Sequence, residues 1–306
     1  MITFKDRSDA WLQELSTRKR GAVKPASLVT FKSCVKRLNT IIGMTDLAEI
    51  HNGVARLIVE QLVQEQLAPA TINLLLMVLK AVVASYVNPV TGEPVYPRVW
   101  KSSFIDAPRI EKQEQPIYTR AEIEAMLKTA DDRARVLIAF AAGTGMRLGE
   151  ILDCRINSET VTSLDLENHV VMVRTSRWNN VSQAPKTAAA VRPIDLCAEL
   201  VNVLTQFVGS RASGFLFESR PGNACHPTTL RKQMAPLGAA SFHAYRRFRI
   251  TFLRASLIPD DLIRLWAGHS GATVTDRYAK IENRMDVRRQ YCEVVGLGFN
   301  LSHVPV

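Results

Sequence analysis

Apolar residues recur at helical spacing through the first 87 positions. Asp6 to Lys19 carries Ala10, Trp11 and Leu15 on one period. Pro25 to Ile42 carries Leu28, Phe31, Val35 and Leu38 at i, i+3, i+4 steps, with Lys24, Lys32, Lys36 and Arg37 on the other faces. His51 to Leu67 repeats the pattern through Val54, Leu57, Ile58 and Leu62. Pro69-Ala-Thr71 opens a helix to Tyr86 that buries Leu74, Leu75, Val78, Leu79 and Val82. Four short amphipathic helices predict a compact bundle over 1–87. Asn88 to Pro116 then breaks the period. Pro89, Pro94, Pro97, Pro108 and Pro116, with Gly92 and the charged run 109–112, have the composition of an extended interdomain linker.

Residues 117–306 predict a second, mixed domain. Thr119-Arg-Ala-Glu122 is a capping box before Ile123, Met126 and Leu127. Asp131-Asp132 starts an apolar helix over Arg133 to Ala142, which runs into the turn Gly143-Thr-Gly145. That turn aims Arg147 from the start of the next helix, with Glu150 three residues on to hold it. The period changes to two at Val161. Val161, Leu164 and Leu166, a turn at Asn168, and Val170 to Val173 read as a hairpin, and Val191 to Leu196 as a third strand after a long polar loop, Arg174 to Ala190. Helices follow over Leu196–Val208, His226–Leu237 (His226 at its start) and Phe242–Ser256. Pro259-Asp260-Asp261 starts another, which ends at Ala267 with Gly268 as a left-handed cap, so that His269 lies on the exiting loop. Thr273 to Lys280 reads as a short helix, and a last helix to about Val295 carries an apolar stripe of Val287, Tyr291, Val294, Val295 and Leu297. The fold class expected is mainly α with a small antiparallel sheet: a helical bundle followed by a mixed α/β domain.

Composition narrows the partners. The chain has 306 residues, 47% hydrophobic, mean hydropathy near zero, a net charge of +10 and a pI near 9.6. A globular protein this basic points to a polyanion, nucleic acid first. Five cysteines without a C-x-x-C pair read as reduced thiols rather than disulfides or a zinc site. The N-terminus has no apolar leader, and no run approaches the roughly 18 apolar residues of a membrane span. A cytoplasmic protein is expected. The bundle begins almost at Met1, so a large additional N-terminal domain is not expected.

The candidate chemistry lies between Ser241 and Lys280, in His243, Arg246, His269 and Tyr278. Arg grips non-bridging phosphate oxygens, His donates to phosphate or accepts a proton, and a Tyr hydroxyl can attack phosphorus. His243 and Arg246 share a helical face. The acidic pairs Asp131-Asp132 and Asp260-Asp261 sit at helix starts and read as dipole partners rather than magnesium ligands. Singly, each of these residues has an ordinary structural explanation; the ordered set does not.

The set Ala142-Gly-Thr-Gly-Met-Arg-Leu-Gly-Glu150, His243-Ala-Tyr-Arg246, Gly268-His269 and Tyr278 nine residues later resembles the tyrosine recombinase (phage integrase) family. Ala267 stands where the family often has Leu. The resemblance implies an N-terminal core-binding (SAM-like) bundle that clamps the duplex and a C-terminal catalytic domain. It implies a site-specific DNA recombinase or integrase that cuts and rejoins strands through a 3′-phosphotyrosyl intermediate, with no metal, cofactor or ATP. Catalytic roles fall to Arg147, His243, Arg246, His269 and Tyr278, with Glu150 in support. Lys186, in Pro185-Lys-Thr187 followed by Arg192, takes the family's general-acid position, with Arg174 and Arg177 as neighbouring basic residues. The expected DNA contacts are Lys19, Arg20, Lys24, Lys32, Lys36, Arg37, Lys80, Arg174, Arg177 and Arg247. The partners implied are a double-stranded core site and further copies of the chain in a tetrameric synapse, the C-terminal tail docking on a neighbour or packing in cis. A type IB topoisomerase-like relaxing enzyme and a non-catalytic DNA-binding protein are the alternatives, and Tyr291 and Tyr245 are the next candidates for the nucleophile.

Overall fold

The computed structural model describes residues 1–111, 114–185, 190–269 and 281–304. The chain divides into two compact units, Met1–Gln113 and Glu114–Val306, each with its own apolar core.

The first unit is built on helices α1 (Phe4–Thr17), α2 (Pro25–Ile42), α3 (Asn52–Gln64) and α4 (Pro69–Ala84). Their starts follow from local chemistry: Thr3 accepts from the Asp6 amide, His51 from the Gly53 amide, and prolines open α2 and α4. Trp11, Leu38, Ile58, Leu62, Leu79 and Val82 meet in the core. Leu57 departs from expectation and faces solvent, because Ala55, Ile58, Val59 and Leu62 already make the inward stripe of α3. The proline-rich stretch after α4, read as part of an extended interdomain linker, is fastened to the bundle over residues 86–105. Its prolines do break helices, but the aromatic and apolar residues between them fasten it to the bundle. Tyr96 stacks on Tyr86 at 5.8 Å, and Arg98 donates to the Ala48 and Ile50 carbonyls at 2.7 and 3.0 Å. A short helix α5 (Ser102–Ile105) buries Ile105 in the bundle core.

The second unit opens with α6 (Arg120–Thr129), whose Thr119/Glu122 capping box is complete, then α7 (Asp132–Thr144) and the short α8 (Leu148–Asp153). A four-stranded sheet follows: β1 (Arg155–Ile156), β2 (Ser163–Asp165), β3 (Val170–Val173) and β6 (Arg192–Asp195) lie side by side in that order. β1 pairs in parallel with β2; the other pairings are antiparallel, with Leu164 opposite Val171 and Val171 opposite Ile194. The stretch expected to be a loop holds a second hairpin, β4 (Ser176–Trp178) and β5 (Val181–Gln183), turned at Asn179-Asn180 with φ of 46° and 62°. Two Asn in the left-handed region make a hairpin turn whose twist matches its strands. This hairpin rests on α8. A Cβ at Gly149 would lie 2.4 Å from Ser176 Oγ and 2.9 Å from the Arg177 carbonyl oxygen, so only glycine fits there.

The remaining elements are α9 (Ala198–Val208), a small hairpin of β7 (Glu218–Arg220) and β8 (Asn223–Ala224), α10 (Pro227–Met234), α11 (Phe242–Ala255), α12 (Asp260–Ala267) and α13 (Met285–Val295). His226 caps α10 by accepting from the Thr228 amide at 3.3 Å. The acidic pairs are engaged in structure: Asp131 accepts from the Ala134 amide, Asp132 pairs with Arg135, and Asp260 pairs with Arg264. All five cysteines are free and buried. Among the described residues no helix is long and apolar enough to cross a membrane.

The C-terminal segment packs in cis, mostly through residues other than the expected stripe. Arg288 donates to Asp195 at 2.9 Å, Cys292 Sγ lies 3.2 Å from the Asp195 carbonyl oxygen, and Leu297, Phe299, Leu301 and Val304 enter the core. Arg249 holds the Gly296 carbonyl at 2.7 Å. The stripe read from the sequence therefore divides: Leu297 is inward, while Val294 is 82% exposed. Phe299→Ala should lower the unfolding free energy by about 3 kcal/mol in urea denaturation. A change within about 0.5 kcal/mol, the range of surface substitutions, would contradict packing in cis.

Candidate active site

The turn after α7 is fixed from both sides. Gly145 closes the helix at φ 64°, and Thr144 donates to the Phe140 carbonyl at 2.6 Å while accepting from the Met146 amide. This places Arg147 at the N-cap of α8, where the Glu150 carboxylate reaches back to it. One oxygen accepts from the Arg147 amide at 2.9 Å and the other from its Nη1 at 2.9 Å. The same carboxylate receives Arg192 on its buried side, Nη1 at 3.1 Å and Nη2 at 3.0 Å. Arg192 is only 1% exposed. Its Nε donates to the Trp266 carbonyl at 2.8 Å and its Nη1 to the Ala190 carbonyl at 2.9 Å. Burial pushes the Glu150 carboxyl up, but the hydrogen bonds and charge of Arg192, with Arg147 beyond, hold it below the ordinary carboxylate value.

Arg246 enters from α11, one turn after His243. It is buried, donating from Nη1 to the Gly145 carbonyl at 3.0 Å and from Nη2 to the Ala267 carbonyl. Arg147 Nη2 makes a long contact, 3.4 Å, to the next carbonyl, Gly268. Arg147 and Arg246 thus converge on consecutive peptide oxygens at the end of α12, and His269 follows directly. Gly268 sits at φ 62°, and a Cβ there would lie 2.9 Å from Arg192 Cδ, Nε and Nη1. Both its backbone conformation and the close packing of Arg192 exclude a larger residue.

The site is electropositive. Burial, then the charges of Arg147 and Arg192, lower the Arg246 guanidinium to about 10, which leaves it charged at neutral pH. His243 and His269 are exposed at its edge. Partial burial lowers the pKa of His243, helped by Arg247, Arg246 and Arg147; the same cause lowers His269, helped by Arg246, Arg147, Arg192 and Arg254. Both imidazoles are therefore neutral at pH 7, able to accept or donate one hydrogen bond on each nitrogen.

Arg147, Glu150, His243, Arg246 and His269 are thus drawn to one place. Lys186 and Tyr278 lie outside the described residues. Of the expected DNA contacts, Lys19, Arg20, Lys32 and Lys36 are exposed. Lys24 is half-buried and Arg37 pairs with Glu65 on the surface, while Lys80 lies 5.7 Å over the Trp100 ring. Arg247 donates to the Pro116 carbonyl and to Gln115, and Arg174 makes a long contact to the Val161 carbonyl. Arg177 pairs with the fully buried Asp153 and packs over the Phe215 ring at 4.9 Å. Arg192 is the residue whose importance sequence reasoning missed. The signal was available, since a guanidinium in the apolar strand Val191–Leu196 needs a buried acid.

A family model described as the phage integrase family matches residues 117–284. The chain belongs to the phage integrase family. It is by that membership a tyrosine recombinase, a site-specific DNA recombinase. No curated protein matches it. Among solved structures this phage integrase family member is similar in fold to the integrase of the Tn1549 transposon in complex with transposon right end DNA. That match has 18% identity and a TM-score of 0.69, and covers 92% of this chain and 99% of that one. A lambda integrase dimer bound to a COC′ core site matches at 17% identity and TM-score 0.63, over 92% of this chain and 97% of that one. A lambda integrase tetramer bound to a Holliday junction matches at 15% identity and TM-score 0.59, over 92% and 79%.

In the free protein, NMR titration should place the pKa of both His243 and His269 below 6.5, and Arg147→Ala should raise both. Between each lowered value and 6.5 the unfolded chain binds a proton that the folded chain does not. These two histidines therefore subtract stability as the pH falls through that window. Values at or above 6.5 would contradict the electrostatic description.

Proposed function

We propose that the protein recombines DNA through a covalent 3′-phosphotyrosyl intermediate formed by Tyr278, without metal or nucleotide triphosphate. The observation that carries this reading is the convergence of Arg147 and Arg246 on the Gly268 and Ala267 carbonyls immediately before His269, in a member of this family. Two guanidiniums beside two neutral imidazoles make a receptor for one phosphodiester. The arginines take its two non-bridging oxygens, whose charge persists in the five-coordinate transition state. His269 adds a hydrogen bond.

In the cleavage step the Tyr278 Oη–phosphorus bond forms and the phosphorus–O5′ bond breaks. The phenolic proton passes to His243, and O5′ takes a proton from Lys186. A free phenol has a pKa of about 10, so a neutral acceptor at the site matters at pH 7. Attack of another strand's 5′-hydroxyl reverses the step and releases the tyrosine. Phosphodiester energy is conserved in the intermediate, so no ATP is needed. Of the alternative nucleophiles, Tyr245 is fully buried, with its hydroxyl 3.4 Å from Met126 Sδ, which argues against it.

The first unit serves in this reading as a further DNA-contacting surface, through exposed Lys19, Arg20, Lys32 and Lys36. Arg37 can exchange its surface partner Glu65 for phosphate, since such pairs contribute only about 0–1 kcal/mol. Exchange between two sites requires further copies of the chain, as in a tetrameric synapse. Synapsis of two DNA sites separates a recombinase from an enzyme that only relaxes supercoils.

Covalent trapping on a nicked suicide-substrate library, drawn from DNA flanking the gene and held in EDTA, tests the chemistry. The wild type should form an adduct that Tyr278→Phe lacks. An adduct retained by Tyr278→Phe moves the nucleophile, with Tyr291 next. Binding without any adduct would leave a DNA-binding protein. Arg246→Ala should slow adduct formation by about 100-fold or more while leaving site binding measurable; an unchanged rate would remove Arg246 from the phosphate receptor.

A further inference from the structure

We infer that Arg192 is a positioning residue for the reaction: it sets Arg147 through Glu150 and sets the His269 loop through Trp266 and Gly268, without itself touching DNA. The inference rests on the phosphodiester reading of the site above. Arg192 lies on β6 and is among the most deeply buried side chains of the molecule. Its fork of donors makes four hydrogen bonds. Two nitrogens grip the two Glu150 oxygens at 3.1 and 3.0 Å, and Nε holds the Trp266 carbonyl at 2.8 Å. Nη1 also holds the Ala190 carbonyl at 2.9 Å, two residues before it on the chain.

These partners belong to three separate segments. Glu150 carries Arg147 by two further hydrogen bonds of 2.9 Å. Trp266 is the last turn of α12, and its indole Nε1 donates to Asp195 on the same strand at 2.8 Å. β6 therefore holds Trp266 at both its carbonyl and its ring. Gly268 packs against the Arg192 side chain so closely that no Cβ fits, which fixes the height of the loop from which His269 emerges. A rotation of the Arg192 guanidinium would release the Glu150 carboxylate and the loop together. A lysine cannot replace it, because one ammonium on a flexible stem cannot span a bidentate carboxylate and a carbonyl in one plane.

A merely structural role would make Arg192 variants slow on every substrate alike. A positioning role through Arg147 predicts a selective effect. Arg147 neutralises charge on a non-bridging oxygen, so a substrate lacking that charge depends less on Arg147 and on whatever aims it. The test uses the full chain and two suicide DNA substrates, one with the natural phosphodiester at the cleavage position and one with a methylphosphonate diester there. Arg192→Met should slow cleavage of the phosphodiester by about 100-fold and of the methylphosphonate by less than about 10-fold, with Arg147→Ala giving the same pattern. Arg192→Lys should lie between. Where Arg192→Met fails to fold, the pair Glu150→Leu with Arg192→Met removes both buried charges together, a change that proteins tolerate far better than one orphaned ion. It should show the same selective loss. An equal loss on both substrates, or a phosphodiester rate within about threefold of wild type, would overturn the inference. If the wild type cleaves neither substrate, the phosphodiester reading itself has failed, and that result is distinct from both.

Discussion

A carboxylate buried beneath an electropositive surface is the constraint on which the second unit depends. Glu150 cannot be removed from water uncompensated, because an isolated buried carboxylate costs several kcal/mol even after relaxation. Its charge is met by Arg192 from below and Arg147 from above. Three segments distant in sequence are thereby held in register: the start of α8, strand β6 and the end of α12. Breaking one partner of such a pair typically costs about 3–5 kcal/mol. The motif glycines follow from the same packing. Gly149 lets the β4–β5 hairpin lie on α8, and Gly268 lets the α12 loop lie on Arg192.

Charge is left unbalanced on the outer side. Among the described residues Arg147, Arg192 and Arg246 gather around the single carboxylate of Glu150; burial first, then neighbouring guanidinium charge, lowers both histidines and Arg246. Such a cluster is uncomfortable when empty and becomes favourable when an anion enters. Because the guanidiniums are tied to backbone carbonyls and to a buried acid, they need little reorganisation when charge develops on a bound phosphate. That is electrostatic preorganisation, and it is the form of catalysis available to a site that has no other electrophile in this reading.

Much of this was legible in the chain. The four long helices of the first unit, the capping box at Thr119, the left-handed cap at Gly268, and the arm from Glu150 to Arg147 all follow from local rules. Local rules failed where long-range packing decides. The stretch 174–190 looked like one polar loop because its strands are three residues long and carry no buried stripe; only the Asn179-Asn180 turn announced the hairpin. The proline-rich segment read as an extended linker, because proline reports on backbone and not on where Tyr96, Trp100 and Ile105 dock. The partner of Arg177, Asp153, was hidden because it sits 24 positions away in sequence. Arg192 was noted only as the arginine that follows Lys186, because its partner Glu150 lies 42 positions earlier.

The central claim is that the buried Arg192–Glu150 pair and the surface guanidinium of Arg147 work as one device. A double-mutant cycle in single-turnover DNA cleavage measures this most directly, comparing Arg147→Ala, Arg192→Met and the two combined. If they act as one, the combined variant cleaves no more slowly than the slower single variant, within about threefold. If instead the two losses multiply, Arg192 contributes independently of Arg147, and the account of the site given above is contradicted.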